Sequence, residues 1–538
     1  MTAACHNQRV TTPGPPDLAY GSFSDDPPWL VEPDRLTWRR RAPILRSVAR
    51  RSVPDLVDKP SLPPARRLVT VTRHLGIALC GWWLFDRRKG REVSRAGLSR
   101  RVRSAAEVLG PTYIKLGQII SSGEGIFPPE LVAECRLLRD QVTPQSFAEV
   151  RRVIEDDLDR PLEEVFVEFE RQPLAAASIA QVHRARLATG EQVVVKVQRG
   201  IVSDLVAKDL KVLAWLAPFL VGRIPVAALA NPPALVELFA ETITEELDFR
   251  LEADNMLEVA RSFTALGQTG YVVPRPHPEL VTRRVLVMEE LSGYSFDDVA
   301  GIKDAGIDVH AILRTGMIGF MEGAMMEGIF HGDLHGGNLF VQPDGRVALL
   351  DYGITGRLDE DRRLAFLRML MSATMNDVRG QFAALRDLGV LPLDTDLDAV
   401  IADLGLDQPP VDPTTLDGDQ LLAELQRLMK ALLAYGARLP KELMLFMKNM
   451  VFLDGAIATL APELDLLAEV QHLAMYFATT HGESIAEQIG ARAEKWELDM
   501  DGVKAGFGVD PSTERLTYQD LRERRELIRS RLSGKLGS

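Results

Sequence analysis

The residues best suited to chemistry stand in one short run, His331-Gly332-Asp333-Leu334-His335-Gly336-Gly337-Asn338, with Asp351-Tyr352-Gly353 close behind it. Asp333 and Asn338 are five positions apart, and Asp351 follows an apolar stretch at 347–350. Phosphoryl transfer needs this combination. An Asp and an Asn oxygen can hold a hard cation against phosphates, and a second carboxylate can position the attacking hydroxyl or water. Asp333 is therefore the candidate catalytic carboxylate, and Asn338 and Asp351 are the candidate Mg²⁺ ligands. A His/Asp metal site on His331 and His335 is the alternative. Their i,i+4 spacing would favour a metal only on a helix, and the surrounding glycines argue for a loop.

A site of this kind needs partners upstream. Lys196 lies in Val193-Val194-Val195-Lys196-Val197, which reads as a strand entered from the turn Thr189-Gly190. It is placed to meet the α- and β-phosphates of a nucleotide. Glu252 falls in a helical, acidic run and is the candidate partner of Lys196. Alone, each residue reads as a solvated charge. Val287-Met288-Glu289-Glu290-Leu291, at the end of another strand-like stretch, fits a hinge whose backbone would hold adenine. The order Lys, Glu, hinge, Asp/Asn, Asp is that of a protein kinase.

The phosphate loop departs from that pattern. Where a glycine-rich loop is expected, the chain has Leu174-Ala175-Ala176-Ala177-Ser178-Ile179-Ala180-Gln181-Val182. Glycine permits unusual φ and close approach to phosphate, whereas alanine restricts both. A stiffer loop and altered nucleotide handling follow. After Asp351-Tyr352-Gly353 the chain passes almost directly into an amphipathic helix at 359–370, which leaves little room for a regulated activation loop. Ala461-Pro462-Glu463 sits far downstream in a Leu-rich helical stretch and reads as coincidence.

The elements that must position these residues form an α+β chain. Residues 1–60 read as a flexible basic leader, and 61–150 as a helical extension. Residues 151–291 read as a small β-containing lobe with strands near 165–169, 181–187, 191–198 and 284–290. Residues 292–480 read as a helical lobe carrying the catalytic and metal loops, and 481–538 as a charged tail. The composition is ordinarily globular, with 46% hydrophobic and 26% charged residues. The net charge of −13 is a poor fit to a nucleic-acid binder. Residues 1–105, however, hold 20 Lys and Arg against 9 Asp and Glu. A basic arm on an acidic body suits an anionic membrane surface, or else a solvated leader. Trp82, Trp83 and Phe85 beside Arg87, Arg88, Lys89 and Arg91 suit an interfacial helix, or else a core helix and a charged turn. The longest apolar stretches, 77–85 and 212–221, fall short of a spanning helix. No transmembrane helix and no secretory signal are expected. The three cysteines form no paired motif, which points to a reducing compartment. The Met- and Leu-rich stretch 439–460 reads as core rather than lipid contact.

Three features together resemble the AarF/UbiB family of atypical kinases. They are the Ala-rich loop, the His-Gly-Asp-Leu-His-x-Gly-Asn segment, and Lys115-Leu116-Gly117-Gln118. Glu246-Leu247-Asp248 matches the family's Glu-x-Asp. The resemblance spans about residues 100–470. It implies a protein-kinase-like two-lobed fold with the helical extension folded over the active site, and ATP or ADP with Mg²⁺ as cofactors. Lys115 and Gln118 would face the nucleotide, with Lys115 near Glu246 or Asp248. The resemblance also implies work at membranes on isoprenoid quinone lipids, and ATPase rather than clear protein-kinase activity. Gly336 replaces a Pro, Tyr352 a Phe, and Ala180 a frequent Gly. Residues 121–125 lack the Arg and Asp usual after Lys-x-Gly-Gln, which puts the gating of the extension in doubt.

Three functions remain open on sequence. The first is an ATP-binding atypical kinase or ATPase serving membrane lipids, cytoplasmic or peripheral at the membrane. The second is a nucleotide-gated scaffold or lipid-extraction chaperone. The third is a kinase of a small soluble molecule, which the Lys-x-Gly-Gln extension would crowd.

Overall fold

The computed structural model describes residues 23–524 and 526, except 26–27, 33–34, 59–62, 122–127, 139–143, 221–231, 376, 407–426, 428–430, 433, 438–439 and 491–497. The segment read as lacking the Arg and Asp after Lys-x-Gly-Gln lies largely outside the described residues.

The small lobe is built on helix Phe147–Leu158. Ser146 and Glu149 close its N-terminus as a reciprocal capping box. Val150, Val153 and Ile154 recur at helical spacing and are buried against the sheet. The strands that follow are β1 (Phe166–Phe169), β2 (Ala175–Ala176), β3 (Ala180–Leu187) and β4 (Gln192–Gln198). Further on come β5 (Tyr271–Val272), β6 (Pro276–Val281), β7 (Val285–Glu289) and β8 (Tyr294–Ser295). The sheet runs β1-β3-β4-β7-β6, with β2 paired to β3, and its pairs are antiparallel. Gly190 takes φ +106° at the β3–β4 turn, a conformation that side chains resist. The period-2 alternation of β4 sends Val193, Val195 and Val197 into the lobe's core. Lys196 therefore emerges on the opposite face. That face meets helix Phe249–Ala265, whose N-cap Asp248 accepts a hydrogen bond from Arg250 N.

The large lobe carries four more short strands: β9 (Ile329–His331), β10 (Leu339–Val341), β11 (Val347–Leu349) and β12 (Thr355–Arg357). One sheet is ordered β5-β11-β10-β8, and β9 pairs antiparallel with β12. Helices Val309–Glu322, Glu360–Thr374, Lys441–Leu460 and Leu466–Ile489 pack around them in one large core. The mixed α+β, kinase-like architecture matches the sequence expectation.

Several expectations need correction. Part of the stretch read as a flexible leader is packed. Phe23, Val31, Leu36 and Trp38 are buried. The indoles of Trp29 and Trp38 donate to the Pro276 and Pro278 carbonyls. Helix Ala42–Val57 follows. Sparse apolar anchors among Pro and Asp show no period, so the pattern missed them. This strap covers β6, an edge strand that two prolines disguised as loop. The charged tail likewise buries Leu516 and Leu521 in the main core. Helices Ala65–Phe85 and Lys441–Leu460 are long and apolar enough to cross a membrane by length and composition alone, a test that core helices also pass, so the expectation of no transmembrane helix is not overturned. Scattered Arg and His residues had broken the first into shorter apolar runs. The second is packed on one face, with Leu445, Phe446, Leu453, Ile457 and Leu460 buried, as the core reading held.

Candidate functional site

The site lies where the β4 face, the start of helix Phe249–Ala265 and the two loops of the large lobe converge. A cleft there is lined by Lys115, Ala177–Ala180, Lys196, Glu246, Glu252, Asp333, Asn338 and Asp351, among others. Lys196 Nζ lies 2.6 Å from Glu252 Oε1 and 3.2 Å from Asp351 Oδ2. Burial alone would lower the Lys196 pKa, but Asp351 and Glu252 raise it above its ordinary value, so the ammonium is retained. The same two forces act on Asp351 with opposite sign. Burial pushes its carboxyl up, and Lys196 and Lys115 hold it below the usual range.

The His331–Asn338 loop and the Asp-Tyr-Gly loop are tied by pairing and by one imidazole. Thr355 pairs with His331 across β12 and β9, and Gly332 N donates to Ile354 O at 2.9 Å. A Cβ on Gly332 would stand 2.7 Å from Ile354 Cγ2, so only glycine fits this approach. His331 Nδ1 accepts from Asp333 N at 3.1 Å, and its Nε2 bonds the Asp351 carbonyl oxygen. This fixes a neutral tautomer, and burial lowers the His331 pKa. Both ring nitrogens are thus used, which removes the His331/His335 metal alternative. His335 sits in extended backbone and accepts from Gly337 N. Asn338 Nδ2 donates to the Asp333 carbonyl at 3.1 Å, which turns the amide oxygen away from that bond.

The Ala-rich segment forms the tip of the β2–β3 hairpin. Ala177 N donates to Ala180 O at 2.8 Å, and Arg199 Nε donates to Ala177 O at 3.0 Å. Ile179 is buried with Val53, Val202 and Ile243. The tip is thus anchored at its backbone and by its one large apolar side chain. Ala177, Ser178, Ile179 and Ala180 face the cleft, while Ala175, Ala176, Gln181 and Val182 lie in the paired strands and Leu174, just before β2, donates its N–H to Val182 O.

The remaining candidate residues fall in different places. Lys115, on helix Pro111–Ser121, lies 3.1 Å from Glu246 Oε2 and lines the cleft. Gln118 instead donates to Leu138 O at 3.4 Å. Asp248 serves the helix start and pairs with Arg250 at 2.6 Å, so of the two acidic candidates Lys115 meets Glu246. At the hinge, Glu289 accepts from Arg275 N at 3.2 Å and from the Ser24 hydroxyl, and Glu290 pairs with Arg184 at 2.6 Å. Their side chains are engaged in these contacts.

Two residues escaped the motif reading. Lys448 of helix Lys441–Leu460 forms an ion pair with Asp333 Oδ1. Next to it, fully buried Asn449 accepts from Leu334 N at 3.0 Å and donates to the His331 carbonyl. The only signal was an adjacent Lys and Asn inside an otherwise apolar helix.

The donor set suits Mg²⁺ shared with phosphates. Asp351 and Asn338 offer hard oxygens, the Asp351 side chain is 44% exposed to the cleft, and buried Glu246 Oε1 has no hydrogen-bond partner. Among the described residues no cluster of three or more His, Cys, Asp or Glu forms a cage of its own. Mg²⁺ is commonly bound by one or two carboxylates plus substrate phosphates.

Comparison with known proteins gives the lineage. A model of the ABC1 atypical kinase-like domain matches residues 137–383. The probable protein kinase UbiB of Vibrio parahaemolyticus is 30% identical over 79% of this chain and 80% of its own. The protein of the same name from Pseudomonas paraeruginosa is 32% identical over 81% and 80%. This chain belongs to the ABC1/UbiB family of atypical kinase-like proteins. The uncharacterized protein Rv0647c of Mycobacterium tuberculosis is 37% identical over 69% of this chain and 76% of that one. A solved structure, the complex of Rv3197 with erythromycin from Mycobacterium tuberculosis, covers 64% of this chain and 92% of that one. It is 20% identical with a TM-score of 0.38, too distant to bear on the architecture.

Proposed function

We propose that this ABC1/UbiB-family chain binds ATP with Mg²⁺ and hydrolyses it or transfers its phosphate in the service of membrane lipids, isoprenoid quinones first among them. The observation that carries the reading is the convergence of Lys196, Glu252, Asp333, Asn338 and Asp351 on one cleft. Lys196 would hold the phosphates, with Glu252 orienting it. Asn338 and Asp351 would hold Mg²⁺, which neutralises developing phosphate charge when bound. Asp333 would position the acceptor hydroxyl or water. Backbone groups of Glu289–Leu291 would take adenine, and the Ala177–Ala180 tip would lie over the phosphates.

A membrane role draws support from helix Ala65–Phe85. Only 11% of its apolar window is buried, and Ile77, Leu79, Trp83, Leu84 and Phe85 are exposed. With the arginines and lysine that follow, this face suits a helix lying on an anionic surface. Peripheral placement on the cytoplasmic side is part of the same proposal.

The test is nucleotide turnover by the purified chain with Mg²⁺, with and without anionic liposomes, beside Asp351→Asn. Turnover that rises with liposomes and vanishes in the variant is expected. Undiminished Mg²⁺–nucleotide binding and turnover in Asp351→Asn would sink the assignment. A second reading, a nucleotide-gated scaffold, is favoured by the Lys115–Glu246 pair standing in the cleft and by the anchored Ala-rich tip. Tight binding without turnover in either condition selects it.

A further inference from the structure

The carboxylate of Asp333 is held from a helix far outside the motif run. Lys448 and Asn449 are consecutive residues of Lys441–Leu460, and both turn toward the catalytic loop. Asn449 grips the backbone on both sides of Asp333, at the His331 carbonyl and the Leu334 amide. Lys448 grips the side chain at Oδ1. The carboxylate and ammonium are 19% and 22% exposed, and Asn449 is fully buried. Lys448 is not among the residues that line the cleft. Both residues lie beyond the segment that the kinase-like domain model matches.

A carboxylate on a glycine-rich loop has rotamer and backbone freedom to lose. Here one helix removes both freedoms with three contacts. An unpaired ammonium would not be retained at such a position without a carboxylate to meet it, because burying a lone charge is costly. The helix itself is fixed to the core through Leu445, Phe446, Leu453 and Ile457. A rigid support of this kind is what keeps a reacting group within a fraction of an ångström of its working geometry.

We infer that helix Lys441–Leu460 belongs to the catalytic apparatus, with Lys448 and Asn449 as positioning residues for Asp333. The inference rests on the proposed role of Asp333 in phosphoryl chemistry.

The experiment compares the full chain with Lys448→Met, Lys448→Arg, Asp333→Asn and the Lys448→Met/Asp333→Asn double variant. Mg²⁺–ATP turnover, nucleotide affinity and melting temperature are measured for each. Lys448→Met should lower kcat about 100-fold, the scale of a misplaced reacting group. Nucleotide Kd should stay within about threefold, because the lost interaction is not one that binds the ground state. Lys448→Arg, which keeps the charge, should restore most of the loss. In the Asp333→Asn background Lys448→Met should add almost nothing, as expected of residues acting as a unit. A kcat within about twofold of the parent, or a full further loss on top of Asp333→Asn, overturns the inference. Absent turnover in the parent chain would count against the proposed function instead. With turnover present, additive melting shifts at 448 and 333 would also overturn the inference, because they would show that the two side chains do not act on each other.

Discussion

Lys115 Nζ lies 3.1 Å from Glu246 Oε2, and the two side chains are 14% and 7% exposed. The pair joins the helical extension to the end of helix Pro232–Glu246 at the cleft. Burial raises the Glu246 pKa, Lys115 opposes the rise, and the negative charges of Asp351 and Asp333 add to it. Removing the ammonium alone leaves a buried carboxylate among like charges. Lys115→Met should therefore destabilise the protein by about 3–5 kcal/mol, the cost of breaking a buried pair from one side. Lys115→Met/Glu246→Gln should recover most of that loss, since no charge is stranded. Urea unfolding of the three proteins measures this, and strictly additive losses would show that the contact carries no coupling.

The N-terminal strap makes a second, independent claim on stability. Trp38 is 5% exposed and donates to Pro278 O at 3.1 Å, closing the edge of the small-lobe sheet. Beyond it, Arg46 pairs with Asp254 at 2.6 Å and donates to Asn255 Oδ1 at 2.8 Å. Asn255 in turn donates to the Tyr352 carbonyl at 2.8 Å, so the strap reaches the Asp-Tyr-Gly loop through the helix that bears Glu252. Trp38→Ala should cost about 3–5 kcal/mol, as for other buried Trp truncations. Val48→Ala, on the exposed side of helix Ala42–Val57, should stay within about 0.5 kcal/mol. Equal effects in denaturant titrations would mean that the strap is not packed.

Much of the site was legible because phosphoryl chemistry constrains residue type and spacing together. Lys196, Asp333, Asn338 and Asp351 could be read from their order, and period-2 alternation put Lys196 on the cleft face of β4. What escaped lacked a period or a motif. Phe23, Leu36 and Trp38 are anchors scattered through a Pro- and Asp-rich stretch, and only tertiary burial reveals them. Pro276 and Pro278 hid β6 because a proline is tolerated at a sheet edge. Lys448 and Asn449 stood in an apolar helix, where the period reported core and said nothing of two polar residues turned toward Asp333. Asp248 and Gln118 show the converse: a matching motif placed them, but local capping and the Leu138 carbonyl engage their side chains.

The exposed end of helix Ala65–Phe85 gives a prediction separate from stability. Trp83, Leu84 and Phe85 are more than half exposed, while neighbouring Trp82 is tied to Ser94 Oγ at 2.9 Å. Replacing the three exposed residues with Ser should leave the melting temperature unchanged. Each would give up about 1.5–3 kcal/mol of apolar burial in a bilayer. Affinity for vesicles containing phosphatidylserine should then fall by at least about 100-fold in co-sedimentation. Binding by the parent chain should also weaken between low and high salt, since the basic residues after Phe85 act through a screened field. Vesicle binding that is indifferent to both changes would remove this face from consideration.

The strap also places a histidine where pH can be read. The His277 ring lies 4.9 Å from the Trp29 ring, and its Nδ1 accepts from both Glu279 N and Leu280 N at 3.1 Å. A protonated Nδ1 could not accept either bond. Burial lowers the His277 pKa to about 4, with the nearby charges of Glu279 and Glu191 opposing. The unfolded chain binds this proton at an ordinary histidine pKa of about 6.5. Between those values the unfolded state holds more protons than the folded one. Stability from this residue is therefore fully present above about pH 6.5 and is lost as pH falls toward 4. At pH 5 the loss should reach about 2 kcal/mol. Asn at this position can offer an acceptor but cannot titrate. His277→Asn should therefore show a smaller difference between urea unfolding free energies at pH 7.5 and pH 5 than the parent, by about that amount. An identical pH difference in parent and variant would mean that His277 is already protonated in the folded protein, and that the two backbone bonds to Nδ1 do not hold in solution.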